Sequence, residues 1–158
     1  MVMKAKAAAV VGWAPQRPAI YAHLSARENL ELFGRLARLP DPGREAARTR
    51  ERFGLPGGEQ RAAELSVGNQ QRLNLALAFL GNPDVLLLDE PSAALDPPQR
   101  RRFWELLLEH RQRGCSTLLA THSLEEAARL ADRVLLLVEG AVAQEGSPAE
   151  VATALETL

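Results

Sequence analysis

The stretch Val85-Leu86-Leu87-Leu88-Asp89-Glu90 predicts the class of fold. Its apolar run is typical of a strand that a parallel sheet buries on both faces. Two carboxylates follow at the carboxyl end of that strand, where the ligands of open α/β sheets bind. Neighbouring strand residues point to opposite faces, so Asp89 and Glu90 are expected to have different roles. In phosphate chemistry one carboxylate can hold Mg²⁺ through water while the other polarises an attacking water, although two solvated acids at a strand end would also explain the pattern.

Helix and strand signals surround this stretch. The sequence before it is predicted to be mostly helical, because Ser25, Asp41 and Ser66 are N-cap residues ahead of helical patterns. Strands that alternate with helices follow it, which indicates parallel βαβ units in a layered α/β domain. The later helices are predicted to begin at Asp96, Ser123 and Ser147, and the other strands to cover 7–13, 116–120, 133–138 and 141–144, the last two joined by a turn at Glu139-Gly140.

Composition places the chain among soluble globular proteins. The 158 residues are 46% hydrophobic and 25% charged, which argues against disorder, and their number fits one domain. No stretch free of Asp, Glu, Lys and Arg exceeds 11 residues, which is too short to span a bilayer. A net charge of -1 gives no field that would attract nucleic acid or anionic lipid. Cys115 is the only cysteine, so an internal disulfide is excluded and a reducing cytosol is expected.

The position of the lysines excludes one kind of phosphate-binding loop. The pattern G-x-x-x-x-G-K-[ST] needs a lysine after its glycines. Lys4 and Lys6 are the two lysines of the chain, and both precede its first glycine, Gly12. These 158 residues therefore do not encode that loop.

The segment Leu65-Ser66-Val67-Gly68-Asn69-Gln70-Gln71-Arg72 offers another kind of anion site. It begins a predicted helix with a hydroxyl, a glycine that permits close approach and exposed backbone N–H groups, which together suit a phosphate. Ordinary N-capping by Ser66 is the more common explanation of such a serine. Gln16, between two prolines, can offer an amide oxygen to Mg²⁺, and His122 can reach a phosphate at the same sheet edge. Either residue could equally be solvated or structural.

The order and spacing of these segments resemble an ATP-binding cassette (ABC) ATPase from Val11 to about Val151. Residues 12–16 look like the Q-loop of that family, 25–30 like the start of its helical subdomain, 65–72 like the LSGGQ signature, 85–90 like the Walker B strand, 92–96 like the D-loop and 121–122 like the H-loop. The resemblance implies an α/β fold with a layered parallel sheet, like that of P-loop NTPases, and an inserted helical subdomain.

The resemblance also divides the chain into parts. Residues 1–158 would form a single partial ABC ATPase domain that is truncated at its N-terminus. Its parts would be the Q-loop strand and loop (about 1–18), the helical and signature subdomain (about 19–82), and the catalytic α/β core with a C-terminal hairpin and helix (about 83–158).

Each motif residue has an implied role. Asp89 would help to hold Mg²⁺ through water, and Gln16 would contact the same ion and couple the site to a membrane partner. Glu90 would be the general base for attack on the γ-phosphate of ATP, and His122 would contact that phosphate. The residues that would serve the nucleotide of an opposite cassette, or lie at the interface with it, are Ser66, Val67, Gly68, Asn69 and Asp96. Donors that are split between two chains make hydrolysis depend on closure of the dimer.

Two features depart from the family pattern. The Walker A loop of the family lies upstream of the Q-loop, and this chain begins just short of the Q-loop. In the signature, Val67 replaces a glycine and Asn69 a glutamine, and Val67 would be strained if its φ were positive. A sheet that lacks its front strand is expected to leave unpaired edges and an exposed apolar face, which favour association with a partner.

The leading interpretation is an ATP-binding and ATP-hydrolysing subunit of an ABC transporter, with ATP and Mg²⁺ as cofactors. A second cassette, identical or different, and a separate transmembrane subunit are the expected partners, which would place the chain in the cytoplasm at the membrane. Without a Walker A loop, the isolated chain is expected to be inactive. The alternative is a degenerate cassette that regulates an intact one. A nucleic-acid ATPase is disfavoured, because the long coiled-coil insertion or second cassette expected of that class is missing.

Overall fold

The computed structural model describes residues 9–155, which form two compact units. The described residues up to Ala120 form the first unit, and those from Thr121 form the second. Residues 7 and 8 of the strand predicted over 7–13 lie outside the described residues. No helix within residues 9–155 has both the length and the hydropathy that a bilayer crossing needs.

A three-stranded parallel sheet forms the centre of the first unit. Its strands are β1 (Val11–Ala14), β2 (Val85–Asp89) and β3 (Ser116–Ala120), in the order β1-β2-β3. Trp13 pairs with Leu87, and Leu87 with Leu118. The predicted α/β class with a parallel sheet is confirmed, and within the described residues the first strand begins at Val11.

The four helices of the first unit begin at predicted N-caps. They are α1 (Ala26–Leu36), α2 (Pro42–Arg52), α3 (Val67–Phe79) and α4 (Pro97–Gln112), and a 3₁₀ turn (Ala62–Glu64) precedes α3. At the start of α1, Ser25 Oγ accepts from the Glu28 amide at 3.2 Å while the Glu28 carboxylate accepts from the Ser25 amide at 2.8 Å. The two bonds form a capping box, and the bond from the Ser25 amide lowers the pKa of the Glu28 carboxyl. The helix α1 ends at Leu36, shortly before Arg38, whose φ of 54° is left-handed backbone that cannot continue a helix.

Direct packing of α3 on β1 depends on Gly12. A Cβ at that position would lie 1.9 Å from the carbonyl oxygen of Ala78 on α3 and 3.0 Å from the buried side chain of Leu86. The opposite face of the sheet is open. Val11, Trp13 and Leu118 are 54%, 64% and 67% exposed. Helices therefore cover one face of this sheet, while the described residues leave an apolar surface on the other.

An aromatic cluster in the first unit surrounds His110 of α4. The imidazole is 0% exposed, its ring centre lies 5.6 Å from that of Phe79, and Phe79 lies 5.3 Å from Phe53. Burial lowers the pKa of His110, and the positive charges of Arg113 and Arg52 lower it further. Within the described part of the chain, Nε2 of this histidine has no hydrogen-bond partner. The fold therefore favours the neutral imidazole.

The second unit is a β-hairpin with two helices. Its elements are α5 (Leu124–Leu130), β4 (Val134–Val138), β5 (Ala141–Gly146) and α6 (Pro148–Leu155). Glu139 and Gly140 have φ values of 50° and 80°, as the predicted two-residue turn requires. The strand predicted over 141–144 extends to Gly146, because its pairing with β4 continues as far as Val134. At the start of α6, the Glu150 carboxylate accepts from the amide of Ser147 at 2.7 Å, which lowers the pKa of Glu150.

Gly12→Ala is expected to destabilise the first unit, because the added methyl group would overlap the Ala78 carbonyl and push α3 away from β1. Overpacking of this kind costs about 1–3 kcal/mol or more. Urea unfolding followed by circular dichroism measures the change. Gly57→Ala is the control, since nothing lies within 4 Å of a Cβ at that glycine. Equal stability of the two variants would contradict the close packing.

His110→Met is expected to flatten the loss of stability in acid. Because the pKa of His110 is lowered in the folded chain, the unfolded chain alone gains a proton as the pH falls below about 6.5. The free energy of unfolding of the wild type therefore decreases below that pH, by at most about 1.4 kcal/mol per pH unit, whereas this histidine contributes no slope above it. Urea titrations between about pH 7.5 and 5 compare the two chains. Parallel pH profiles would rule out this role of His110.

Candidate functional site

The carboxyl ends of β1 and β2 bring two predicted site residues to one edge of the sheet. Gln16 is exposed in the loop after β1, and Asp89 is the exposed last residue of β2. Because β1 and β2 pair in parallel, these ends lie side by side. His122 follows β3 along the chain and belongs to the second unit, where the Ser123 amide donates to Thr121 Oγ1 at 3.1 Å.

Glu90 has an unusual backbone conformation for its residue type. Its φ is 47°, in the left-handed region that costs a residue with a side chain about 1–2 kcal/mol. Its amide donates to the carbonyl of Ala120 at the end of β3 at 2.9 Å, and its carbonyl accepts from the Ala93 amide at 3.3 Å. Strained backbone of this kind is concentrated at functional sites. Arg38, Asn82 and Glu139 have similar φ values in turns outside the predicted site, so the backbone of Glu90 marks a tight turn after β2, and its catalytic role stays a prediction.

Two amide side chains of α3, which the sequence analysis missed, hold the backbone beside Gln16 and Glu90. Asn74 Nδ2 donates to the carbonyl of Pro15 at 2.9 Å, and Asn74 Oδ1 accepts from the amide of Ala19 at 3.1 Å. Gln71 Nε2 donates to the carbonyl of Pro91 at 2.9 Å. The spacing of apolar residues predicts the helix but does not predict what its polar side chains contact. The available signal was two amides on one side of a helix that is otherwise largely apolar.

The start of α3 has the geometry of an ordinary N-cap. Ser66 Oγ accepts from the Asn69 amide at 3.3 Å. Val67 is the first helical residue, is 71% exposed and does not have a positive φ, so the condition under which it would be strained is not met. Gly68 needs no positive φ either. A Cβ on Gly68 would lie 3.2 Å from Gln99 Oε1 and 3.3 Å from the Ala94 carbonyl, so close packing against the loop before α4 favours glycine here.

Arg72 ties the start of α3 to the end of α2. Its guanidinium donates to the carbonyl of Gly54 at 2.7 Å and also to the side-chain oxygen of Asn69. Burial lowers the pKa of Arg72. Asn69, which stands where the family signature has a glutamine, therefore contacts Arg72 of its own helix.

Asp96 caps α4 beside this helix start. Its carboxylate accepts from the amide of Gln99 at 2.8 Å, and Gly68 packs against the same Gln99. The predicted D-loop and signature segments are therefore neighbours within the first unit. Whether Asp96 also faces a second cassette stays a prediction.

The donors at the sheet edge suit Mg²⁺. This ion prefers oxygen ligands and is usually held by one or two carboxylates together with substrate phosphates. Asp89 offers a carboxylate and Gln16 an amide oxygen, and both residues are exposed. Residues 9–155 contain no group of three or more His, Cys, Asp or Glu that could hold a metal. An ion that arrives with a nucleotide needs no such group, so the residues present fit a magnesium ion bound to a nucleotide.

Comparison with known proteins identifies the family. A family profile described as "AAA domain, putative AbiEii toxin, Type IV TA system" matches residues 5–128. The chain is 40% identical over 151 residues to the Nod factor export ATP-binding protein I of Paraburkholderia xenovorans, covering 90% of this chain and 48% of that protein. The chain belongs to the ABC ATPases. The doxorubicin resistance ATP-binding protein DrrA of Mycobacterium tuberculosis is 37% identical over 86% of this ABC chain and 42% of its own length.

A mammalian relative and a solved structure agree with this assignment. ATP-binding cassette sub-family A member 7 of Mus musculus is 41% identical over 82% of this ABC chain and 6% of its own length. The dimeric structure of a bacterial ABC transporter cassette superposes with a TM-score of 0.79 and 25% identity, covering 89% of this chain and 63% of that one. The chain spans less than half the length of each of these sequence relatives. The predicted ABC cassette fold, with a P-loop-NTPase-like parallel sheet, is confirmed.

Glu90→Gly is expected to raise the free energy of unfolding, because glycine adopts a φ of 47° without strain. The gain should be about 0.5–1 kcal/mol, since the flexibility of glycine in the unfolded chain offsets part of the relief. Glu139→Gly, at a φ of 50° in the hairpin turn, is the matched control and should gain as much. Urea unfolding measures both. A gain at Glu139 with a loss at Glu90 would show that contacts of the Glu90 side chain outweigh the strain.

Proposed function

We propose that this chain is part of the ATP-hydrolysing subunit of an ABC transporter, and that hydrolysis drives solute movement through a separate transmembrane subunit. The placement of Asp89 and Glu90 at the carboxyl end of the central parallel strand is the observation that carries the proposal. The names of two bacterial relatives support it, since one is an export ATP-binding protein and the other a drug-resistance ATP-binding protein. Such a subunit would be cytoplasmic and peripheral to the membrane.

Each residue then has one task in hydrolysis. Bound Mg²⁺ would supply positive charge that neutralises the phosphates. Asp89 and Gln16 would hold this ion, and Glu90 would accept a proton from the attacking water. His122 would donate a hydrogen bond to the γ-phosphate. None of these tasks needs a covalent bond to the protein, because phosphoryl transfer depends mainly on position and charge.

A second cassette would complete the site. The exposed amides at the start of α3, with Ser66 and Gly68, would bind the phosphates of a nucleotide held by the opposite cassette. That cassette could be identical to this one or different, and the dimeric bacterial cassette structure supports this kind of assembly. Since the 158 residues encode no G-x-x-x-x-G-K-[ST] loop, the phosphate loop of this chain's own site would have to come from outside these residues.

A regulatory cassette without catalysis is the second candidate. Val67 is 71% exposed at the start of α3, so its side chain narrows the approach of a phosphate where the family has glycine. The side-chain oxygen of Asn69 is engaged by Arg72. A chain of this kind would pair with an intact cassette and change its rate without contributing Glu90. No observation favours a role with nucleic acid.

Measurements of ATP hydrolysis separate the two candidates. The chain alone should be inactive and, by isothermal titration, should bind Mg-ATP more weakly than about 1 μM. Mixing it with an intact cassette should raise the rate of hydrolysis. Ser66→Ala should remove most of that rise, because Ser66 would contact the phosphates of the nucleotide that the intact cassette holds. Glu90→Gln should also remove it where the partner supplies the phosphate loop of this chain's own site, since loss of a general base lowers rates by about 100-fold or more.

Ser147→Ala is the matched control for the serine variant. Both serines accept a hydrogen bond at a helix N-terminus, so both replacements cost about 1 kcal/mol of cap stability. Ser147 caps α6, which carries none of the proposed site residues, so its replacement should leave the rise in rate unchanged. A rise that survives Glu90→Gln but not Ser66→Ala would favour the regulatory cassette. Tight binding of Mg-ATP by the chain alone, or no rise in any mixture, would contradict the transporter proposal.

A further inference from the structure

Two buried amides on α3 face the loops of the candidate site. Gln71 and Asn74 are 3% and 2% exposed, and residues three apart lie on the same side of a helix. Burying an amide is unfavourable unless it forms hydrogen bonds. Both of these side chains form theirs with the backbone of site loops. The site loops are the Gln16 loop (residues 15–19) and the Glu90 turn (residues 90–95).

Asn74 holds the Gln16 loop at both ends. Its Nδ2 donates to the Pro15 carbonyl at 2.9 Å, and its Oδ1 accepts from the Ala19 amide at 3.1 Å. These two backbone groups lie on either side of Gln16 in the chain. Pro18 has no N–H group, so it can give the loop no donor of its own. A single side chain therefore fixes the span from which Gln16 extends.

Gln71 holds the Glu90 turn. Its Nε2 donates to the Pro91 carbonyl at 2.9 Å, and this bond is buried. Pro91 directly follows Glu90, whose φ of 47° needs support from its surroundings. Backbone bonds within and beside this turn run from the Glu90 N–H to the Ala120 carbonyl at 2.9 Å, from the Ala93 N–H to the Glu90 carbonyl at 3.3 Å and from the Leu95 N–H to the Ser92 carbonyl at 3.0 Å. The bond from Gln71 links the turn to a helix.

We propose that Gln71 and Asn74 are positioning residues that fasten the Gln16 loop and the Glu90 turn to α3. This inference rests on the proposed function, because it concerns residues assigned to hydrolysis there. α3 also begins at Ser66, where the nucleotide of the opposite cassette would bind. A displacement of α3 at that end would therefore move the backbone beside both Gln16 and Glu90.

Hydrogen exchange in the free chain tests each attachment separately. Asn74→Leu and Gln71→Met keep the side-chain size and remove the hydrogen bonds. In Asn74→Leu the Ala19 amide should exchange about 10-fold faster, while the Ala93 and Leu95 amides keep their rates. In Gln71→Met the Ala93 and Leu95 amides should accelerate and the Ala19 amide should not. Each variant is thus the control for the other, since general destabilisation would affect both loops alike.

Kinetics in the mixture with an intact cassette tests positioning. Both variants should lower kcat per folded chain by about 10-fold and leave the KM for ATP within about twofold, because neither side chain would contact the nucleotide. Leu75→Ala is the stability control. It truncates a buried residue of the same helix, 1% exposed, that forms no bond with either loop, and its kcat per folded chain should equal that of the wild type.

The outcomes separate this inference from the proposed function. No hydrolysis in the wild-type mixture would refute the proposed function, and the exchange pattern would still decide the attachment of the loops. Unchanged exchange of the Ala19 amide in Asn74→Leu, or equal acceleration of both loops in either variant, would overturn the inference. So would an active mixture in which both variants retain the wild-type kcat.

Discussion

The contact between Gly12 of β1 and Ala78 of α3 is the constraint on which the candidate site depends. With no side chain at Gly12, the helix backbone lies against the strand. Asn74 lies one turn before Ala78 on the same side of α3, and Pro15 lies three residues after Gly12. The 2.9 Å bond between Asn74 and Pro15 is therefore formed across the short helix-to-strand distance that Gly12 permits. The packing of α3 on β1 therefore also sets the position of the Gln16 loop.

Local chemistry made much of the fold predictable. A cap or a tight turn is specified by residues within four positions of each other, so Ser25, Asp41 and Ser66 predicted helix starts that the structure confirms. The Glu139-Gly140 turn is equally local, since both residues must have positive φ. The apolar run of β2 predicted a strand within a parallel sheet, but its expected burial on both faces is wrong for the described residues, because helices cover one face only. Because ligands of parallel α/β sheets bind at the carboxyl ends of the strands, the sheet class also placed the candidate site near Asp89.

Long-range contacts were beyond the sequence. Asn74 lies 55 residues from Ala19, and Gln71 lies 20 from Pro91, so no local pattern associates them. The left-handed backbone of Glu90 was equally hidden, because glutamate gives no signal for positive φ. The sequence also suggested that Val67 would be strained if its φ were positive, and the helical backbone of Val67 removes that condition. A motif can thus locate a site residue while the groups that position it stay invisible until the chain is folded.

The exposed face of the sheet also bears on the site. Trp13, Leu87 and Leu118 are paired across the three strands and lie on one face, and alternation along β2 puts Asp89 on that face too. Trp13 and Leu118 are 64% and 67% exposed, and apolar surface of this kind favours association. Any polypeptide that covers Trp13, Leu87 and Leu118 would lie next to the Asp89 carboxylate. The apolar face and the candidate site are therefore coupled, since polypeptide packed on the one would also change the solvent exposure of the other.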